Sequence, residues 1–350
     1  RIVVNTSGSY EITNISVKEY TKNNLARVDY DGTASSLLVE PERTNLLTYS
    51  EDFSNAVWSE VSGGSASNPV LTNDYAISPD GTENATRCLF DMGSGTTTSD
   101  YSRLRYLNLT STTPVISLYI KSNNANTYQL NFSYGGDSTF LVDAKPNEWT
   151  RVDKSTTASG SFDYRLELRG THTSDDTADI LIWGAQAEEG SYPTSYIPTD
   201  GGTVTRVQDQ YSKTGISNLI NSEEGVLFVE MAFSDDGRLA ILNLDASDDQ
   251  VVLGFSGSVF CRIRENGTNI VTQFVSSANQ LNTYYKIAIK YKSGSSAIWV
   301  DGSETVFAGT FTLNDLSKIL FISEGSRTYG KVKQLQIFKT TDIDLAALTS

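Results

Sequence analysis

Histidine and cysteine are scarce in this chain. Its 350 residues include one histidine, His172, and two cysteines, Cys88 and Cys261. Two distant cysteines exclude a disulfide framework, and they exclude a cysteine zinc site, which needs about four ligands. Catalysis of the Ser-His-Asp or Cys-His type has to use His172, which lies in a polar turn sequence where an exposed loop histidine is expected. These absences predict that the chain is not an enzyme.

Paired carboxylates are missing as well. Retaining glycosidases need two carboxylates about 5.5 Å apart, and glucanases of the concanavalin A type place them in a Glu-x-Asp-x-x-Glu run. Residues 225–350 contain no such run, and Glu230 and Glu265 stand alone on their predicted strands. Glycoside hydrolysis by that motif is therefore not expected.

Positive charge and long apolar runs are also in short supply. The chain has 27 Lys and Arg against 42 Asp and Glu, a net charge of −15, which repels phosphate backbones and excludes nucleic acid as an expected partner. No apolar run approaches the roughly 18–20 residues of a membrane span, so no membrane insertion is expected. Position 1 is Arg without a signal-type apolar segment after it, and we expect the chain to begin after a cut or inside a longer protein.

The pattern along the chain is period-2 alternation of Val, Ile, Tyr, Phe and Thr, interrupted by Gly, Asn, Asp and Ser. Short strands at regular spacing are typical of sandwiches and barrels. The sequence predicts an all-β fold with two β-sandwich domains joined by a linker, and one short helix at residues 342–348. The predicted segments are an N-terminal strand and linker at 1–43, a first sandwich at 44–199, a linker at 200–224 and a second sandwich at 225–350.

The N-terminal strand, residues 10–19, has two interpretations. It resembles residues 180–189: both are alternating strands that end in Glu, and each is followed by a polar stretch with Arg-Val and a nearby Asp. This weak repeat suggests that residues 1–20 close a preceding module that is absent here. Alternatively, the strand completes the first sandwich.

Two passages carry a family resemblance for the first sandwich. Residues 38–54 read LVEPERTNLLTYSEDFS and are followed by Trp58, while residues 182–199 read IWGAQAEEGSYPTSYIPT. Both resemble jelly-roll modules of phage tail and fibre proteins, which are similar to the carbohydrate-binding jelly rolls attached to polysaccharide-degrading enzymes. The resemblance implies a jelly roll over residues 38–199.

The last block resembles the concanavalin A-like, laminin-G-type sandwich. The residues that carry this resemblance are NTYYKIAIKYKSG at 282–294, IWVDG at 298–302 and GKVKQLQIF at 330–338. The resemblance implies a fold and says less about function, because lectins, hydrolases, lyases and spacers share it.

Strand alternation predicts a sugar-binding face on the first sandwich. In residues 162–169, Arg165, Glu167 and Arg169 alternate with apolar side chains. Residues 128–132 and 118–120 alternate in the same way and place Gln129, Asn131 and Tyr119 opposite apolar neighbours. The stretch from Arg165 to Arg169 is similar to the arginine-bearing strand of alginate-lyase jelly rolls, but the Gln-x-His pair of those lyases is absent. An ordinary solvated face or a subunit interface is the alternative. The predicted ligand-binding residues are Tyr119, Gln129, Asn131, Arg165, Glu167 and Arg169.

Two tryptophans and two acidic residues complete the candidate sites. Trp58 and Trp183 are candidate aromatic platforms, with a place in the core as the alternative. No cofactor is required; related jelly rolls often hold one structural Ca²⁺ near the first strand, which favours Glu51 or Asp52 as its ligands here.

The resemblance implies a non-enzymatic virion component, a tail fibre or tail-associated protein that is extracellular and binds a host cell-surface polysaccharide. Its other expected partners are virion proteins and copies of itself, as a trimer. One alternative is an accessory carbohydrate-binding region of a secreted polysaccharide-degrading enzyme. The other is a purely structural virion spacer or decoration protein.

Overall fold

The computed structural model describes residues 27–31, 34–134, 139–155, 160–209, 211–243, 249–320 and 329–350, with the backbone alone for residues 31 and 237–243. Regular structure in these ranges is β-strand, apart from a 3₁₀ turn, Ser217–Leu219, and one short helix, α1 (Leu345–Thr349). The predicted all-β fold of two β-sandwiches is confirmed. The predicted terminal helix is present, and the carboxylate of its N-cap, Asp344, accepts a hydrogen bond from Ala347 N at 3.0 Å.

In the described residues, three strands precede the first sandwich: β1 (Arg27–Asp31), β2 (Ala34–Val39) and β3 (Arg43–Asn45). The first sandwich contains β4 (Trp58–Gly63), β5 (Ser67–Ala76), β6 (Ala85–Asp91), β7 (Tyr101–Ser111), β8 (Pro114–Ser122), β9 (Tyr128–Ser133), β10 (Leu141–Ala144), β11 (Thr150–Ser155), β12 (Gly160–Arg169) and β13 (Thr177–Glu189). The remaining strands are β14 (Val204–Arg206), β15 (Ser212–Lys213), β16 (Glu224–Phe233), β17 (Gly237–Asn243), β18 (Gln250–Phe255), β19 (Val259–Glu265), β20 (Thr268–Val275), β21 (Tyr284–Lys292), β22 (Ser296–Val300), β23 (Ser303–Phe307), β24 (Lys318–Leu320) and β25 (Gly330–Phe338).

Two antiparallel five-stranded sheets form the first sandwich, in the orders β10-β9-β12-β7-β4 and β11-β8-β13-β6-β5. The chain passes repeatedly from one sheet to the other, as in jelly rolls. Alternation decides which side chains fill the space between the sheets. On β12, Tyr164, Leu166 and Leu168 are buried in the core, and the residues between them point outwards.

The second sandwich stacks a seven-stranded sheet, β1-β2-β25-β16-β21-β22-β23, on a six-stranded sheet, β15-β24-β17-β18-β19-β20. Strand β16 is apolar on both faces. Leu227, Val229 and Met231 enter the core, while Val226 and Phe228 lie on the other face, where α1 covers them. A strand buried on both sides gives a nearly continuous apolar run, as β16 does.

The expectation of a linker within residues 1–43 is wrong for the part of that segment that the structure describes. β1 and β2 form a hairpin, and β2 pairs with β25 through Leu37 with Val332 and Val39 with Gly330. Val39 belongs to the core of the second sandwich. The second sandwich is therefore discontinuous in sequence, and the first sandwich is inserted after its second strand. The predicted strand at 10–19, with both of its interpretations, lies outside the described residues.

The segment 200–224, also expected to be a linker, contains two short strands. β14 pairs with β3, so the chain segments entering and leaving the first sandwich run side by side. β15 pairs with β24, and Ile216 and Ile220 join the core of the second sandwich. Alternation does not indicate these strands, because they are two or three residues long and mostly polar.

A buried ionic network lies where the two sandwiches meet. Glu40 is 5% exposed, and its Oε2 lies 3.1 Å from Arg27 Nη1 and 3.2 Å from Arg206 Nη1. Its Oε1 accepts a hydrogen bond from Ser195 N at 2.7 Å, and its backbone N donates to Asp209 Oδ2 at 2.8 Å. Burial lowers the pKa of Arg206, and the Glu40 carboxylate opposes that shift. The Glu40 carboxylate thus contacts β1 of the second sandwich through Arg27, β14 through Arg206 and the segment after β13 through Ser195.

Candidate functional site

The outward side of the β10-β9-β12-β7-β4 sheet gathers most of the predicted ligand-binding residues. β12 lies between β9 and β7, and Glu167 pairs in register with Asn131 on β9. Arg165, Glu167 and Arg169 point away from the core on β12, and Gln129 lies on the same side of β9 as Asn131. The structure therefore brings five of the six predicted sheet-face residues to one surface.

Glu167 is the centre of this surface and is fully buried, at 0% exposure. Its Oε2 lies 2.5 Å from Arg103 Nε, and its Oε1 accepts a hydrogen bond from Asn131 Nδ2 at 2.9 Å and lies 3.6 Å from Arg169 Nη1. Burial lowers the pKa of Arg103, while the Glu167 carboxylate opposes that shift. A buried carboxylate with these three partners holds both guanidinium groups in fixed orientations.

Three further residues of this surface, all on β7, were missed by the sequence reasoning. Arg105 pairs in register with Arg165, and Arg103 pairs with Glu167. The Tyr101 ring covers Arg103, whose guanidinium carbon is 4.0 Å from the ring centroid. The signal was present, because Tyr101, Arg103 and Arg105 alternate with Ser102, Leu104 and Tyr106, which are buried or nearly so.

Strands β7 and β12 together carry an excess of positive charge. They contribute four arginines against two carboxylates, Asp163 and Glu167, a balance of +2. Arg165 Nη2 lies 2.5 Å from Asp163 Oδ2. Arg105 has its Nε buried without a hydrogen-bond partner among the described residues. We name this surface the arginine face: Arg103, Arg105, Arg165, Arg169 and Glu167.

Two predicted site residues do not belong to the arginine face. Tyr119 lies on β8 of the opposite sheet, where its ring is 5.4 Å from Trp183 and 5.5 Å from the Arg151 guanidinium carbon. Its predicted place on a common face is therefore wrong, because alternation gives the side of a strand but not the sheet it joins. Trp183 is 4% exposed.

Trp58 is 4% exposed and packs in the core against Phe53, Tyr106 and Tyr164, with ring centroids 4.9–5.5 Å away. Its Nε1 donates a hydrogen bond to Tyr49 O at 2.9 Å. Its role as a ligand platform is wrong, and the core alternative applies.

The calcium prediction stays a prediction. Glu51 accepts hydrogen bonds from Asn84 Nδ2 and Tyr196 Oη, at 2.9 and 2.8 Å. Asp52 Oδ1 accepts hydrogen bonds from Ser54 and Asn73. Both carboxylates are thus engaged by protein donors. Across the described ranges, no three His, Cys, Asp or Glu side chains converge as a metal site would require.

His172 lies in the turn after β12, where its backbone N donates a hydrogen bond to Arg169 O at 2.8 Å. Its Nδ1 is buried without a hydrogen-bond partner in the described structure. Cys88 and Cys261 are buried thiols in different cores, and burial raises the pKa of both, that of Cys261 to about 12. Thiols whose pKa is raised in this way are poor nucleophiles at neutral pH.

Comparisons with known proteins give structural similarities of low score. No protein-family model matches the chain, and no curated protein matches it. Among solved structures, the mouse laminin alpha1 chain, domains LG4-5, matches 74% of this chain and 92% of its own, with 13% identity and a TM-score of 0.27. The N-terminal CBM22-1-CBM22-2 tandem domain of Paenibacillus barcinonensis Xyn10C matches 89% of this chain and all of its own, with 10% identity and a TM-score of 0.28. Among the described residues, no helix has the length and apolarity needed to cross a bilayer.

Proposed function

We propose that this protein is a non-enzymatic glycan-binding protein whose arginine face takes an acidic saccharide. The observation that carries the proposal is the pairing of Arg105 and Arg165 across β7 and β12, in a chain whose net charge is −15. Directly opposed residues on antiparallel strands have Cβ atoms about 5 Å apart. Two arginine side chains that start from Cβ atoms at that spacing can both direct donors to one carboxylate.

The buried part of the arginine face supports these two residues. Arg169 is 8% exposed and Arg103 is 5% exposed, and both lie against Glu167. This corrects the sequence-based expectation that Arg169 contacts the ligand directly. Arg169 and Arg103 instead form a rigid, positively charged support for the more accessible Arg105 and Arg165. This support lowers the conformational entropy that is lost when a ligand binds there.

The biological setting that we propose is a phage virion, with the chain as a tail-fibre or tail-associated protein that attaches to a host surface polysaccharide. This rests on the resemblance of residues 38–54 and 182–199 to phage jelly rolls. One saccharide contact is weak, and several copies per particle, as in a trimer, multiply the effective affinity. An accessory region of a secreted polysaccharide-degrading enzyme is the second candidate. A structural spacer is the third and predicts no glycan binding.

The test is titration calorimetry with uronic-acid oligosaccharides and their neutral counterparts, on the wild type and on the double variant Arg105→Ala, Arg165→Ala. We expect the affinity for the acidic oligosaccharides to fall at least tenfold in the double variant and to weaken with added salt, and we expect any binding of the neutral counterparts to be equal in the two proteins. The matched control is Arg262→Ala, which removes an arginine from the outer face of the second sandwich. Unchanged affinity in the double variant, or no binding of any acidic oligosaccharide, contradicts the proposal.

Two separate measurements test whether the protein is part of a phage virion. Light scattering of the purified chain gives its oligomeric state, and antibody labelling of phage particles shows whether the chain is part of a virion. A trimer found on particles supports attachment. A monomer found only in culture medium supports the accessory-region alternative.

A further inference from the structure

The outer face of the seven-stranded sheet divides into two halves of different chemistry. Leu345 and Leu348 of α1 pack over one half, against Phe228 and Trp299. The other half carries the polar side chains of β16, β21 and β25, and α1 ends at its border. The helix therefore covers the apolar half and leaves the polar half open.

An open pocket of about 340 Å³ lies in the polar half. Its walls include Glu230 on β16, Tyr284 and Lys286 on β21, Asp301 in the turn after β22, and Thr349 at the end of α1. Glu230 pairs in register with Lys286, whose backbone N donates a hydrogen bond to Asp301 Oδ1 at 2.9 Å. We name this site the tyrosine pocket.

The conformation of the turn that contains Asp301 is determined by its Asp-Gly sequence. Val300 pairs directly with Ser303, so Asp301 and Gly302 form a two-residue hairpin loop, with φ values of 46° and 77°. Positive φ at both positions is the geometry of a type I′ turn, for which Asp-Gly is a preferred pair. The carboxylate of Asp301 is thus presented at a fixed position on the rim.

The side chains of the tyrosine pocket are oriented before any ligand arrives. Tyr284 Oη lies 3.1 Å from Oγ of the buried Ser36. Lys333 Nζ lies 3.8 Å from the Tyr284 ring centroid and 3.9 Å from Glu230 Oε1. Lys286 Nζ donates a hydrogen bond to Ser350 O. Groups held in this way lose little freedom on binding.

Charge balance decides the class of ligand. The ammonium groups of Lys286 and Lys333 match the carboxylates of Glu230 and Asp301 in number, so these four side chains carry no net charge, unlike the arginine face. A charged ligand would add an unpaired charge, whereas sugar hydroxyl groups donate to carboxylates and accept from ammonium groups. Lys333 lies over one face of the Tyr284 ring, and the other face supplies an apolar surface for the C–H side of a sugar. The volume is at the small end of the roughly 300–1,000 Å³ of ligand pockets, which fits a mono- or disaccharide.

We propose that the tyrosine pocket is a second saccharide site, on the second sandwich, and that it takes a neutral sugar. The site goes beyond the proposed function, because it uses other residues, another domain and a ligand of different charge.

The experiment is an NMR titration of the full chain with neutral mono- and disaccharides of glucose, galactose, mannose and xylose. We expect one of them to shift the signals of Tyr284 and its neighbours. Tyr284→Ala and Glu230→Gln are each expected to weaken that binding at least tenfold, while Glu304→Gln, an exposed carboxylate on β23 of the same sheet, leaves it unchanged. Glu230→Gln also guards against misfolding of the alanine variant, because it removes a charge without changing side-chain volume.

The outcomes separate the two sites. Neutral-sugar binding that survives Arg105→Ala, Arg165→Ala supports the tyrosine pocket even if the arginine face binds nothing. No shift with any of these sugars, or binding that survives both pocket variants, overturns the proposal.

Discussion

The arginine face and the tyrosine pocket both place charged side chains on the outer face of a sheet, but at different depths. Glu167 is 0% exposed and 2.5 Å from Arg103, whereas the Glu230 side chain is 22% exposed and 3.9 Å from Lys333. A charge removed from water has to be compensated by the protein, while a charge in water is compensated by solvent. Glu167 is therefore part of the folded framework, and Glu230 remains available to a ligand.

The largest expected effect on stability comes from removing the buried charge of Glu167. Glu167→Gln leaves the two guanidinium groups of Arg103 and Arg169 buried without their counter-charge, so we expect it to lower the free energy of unfolding of the first sandwich by about 3 kcal/mol. Glu230→Gln removes a partly exposed charge, whose nearest ammonium group is 3.9 Å away, and is expected to cost less than about 1 kcal/mol. Urea unfolding, followed by hydrogen exchange of peptides from β12 and β21, assigns each loss to its sandwich. Equal losses of unfolding free energy in the two variants would mean that the burial of the carboxylate does not determine its contribution to stability.

A second, smaller effect is expected where the two regions join. Glu40→Gln removes the carboxylate that Arg27 and Arg206 share but keeps an acceptor for Ser195 N, so we expect a loss of about 2 kcal/mol. The loss should appear as earlier exchange in β1 and β14, with β12 unaffected.

The neighbouring Glu42→Gln is the matched control for the junction, because Glu42 is exposed. An equal loss in Glu42→Gln would show that the network at Glu40 contributes nothing specific.

The smallest expected effect depends on pH and belongs to the first sandwich alone. Burial acts to raise the pKa of Glu189, but hydrogen bonds from Thr112 and Thr113 outweigh it and lower the pKa to about 2. A depressed pKa stabilises the folded state above the unfolded pKa of about 4.3, and that stabilisation is lost as the pH falls towards 2. Because Glu189 is exposed, we expect Glu189→Gln to cost only about 0.5–1 kcal/mol at pH 7.

Thermal melts of wild type and Glu189→Gln between pH 7 and pH 2 test this. The difference in Tm should be constant down to about pH 4.5 and close below it. A difference that persists at pH 2 would mean that the carboxylate charge is not its origin.

The core strands could be predicted from the sequence because alternation is a local property. Residues 162–169 alternate over their whole length, and β12 spans Gly160–Arg169. By contrast, β2 has two serines among its six residues, and its partner β25 is almost 300 residues away in sequence. Nothing local indicates such a pairing, so the segment resembled a linker.

The candidate site could be predicted only in part for a related reason. Alternation gave the side of β12 on which Glu167 lies but not that β7 is its neighbour, and so it missed Arg103 and Arg105. It also could not show that Tyr119 belongs to the opposite sheet. The tyrosine pocket depends on a contact between residues as far apart as Ser36 and Tyr284, and that proximity arises only from the assembled sheet.

The insertion of the first sandwich after β2 has a mechanical consequence. Arg27, at the start of β1, and Phe338, at the end of β25, both belong to the seven-stranded sheet, in which β2 and β25 are neighbours. Tension applied between Arg27 and Phe338 is carried by that sheet, and the inserted sandwich lies outside the path of the force. It experiences no stretching until the β2–β25 ladder separates. A module placed in this way keeps its surface intact while the rest of the chain is pulled.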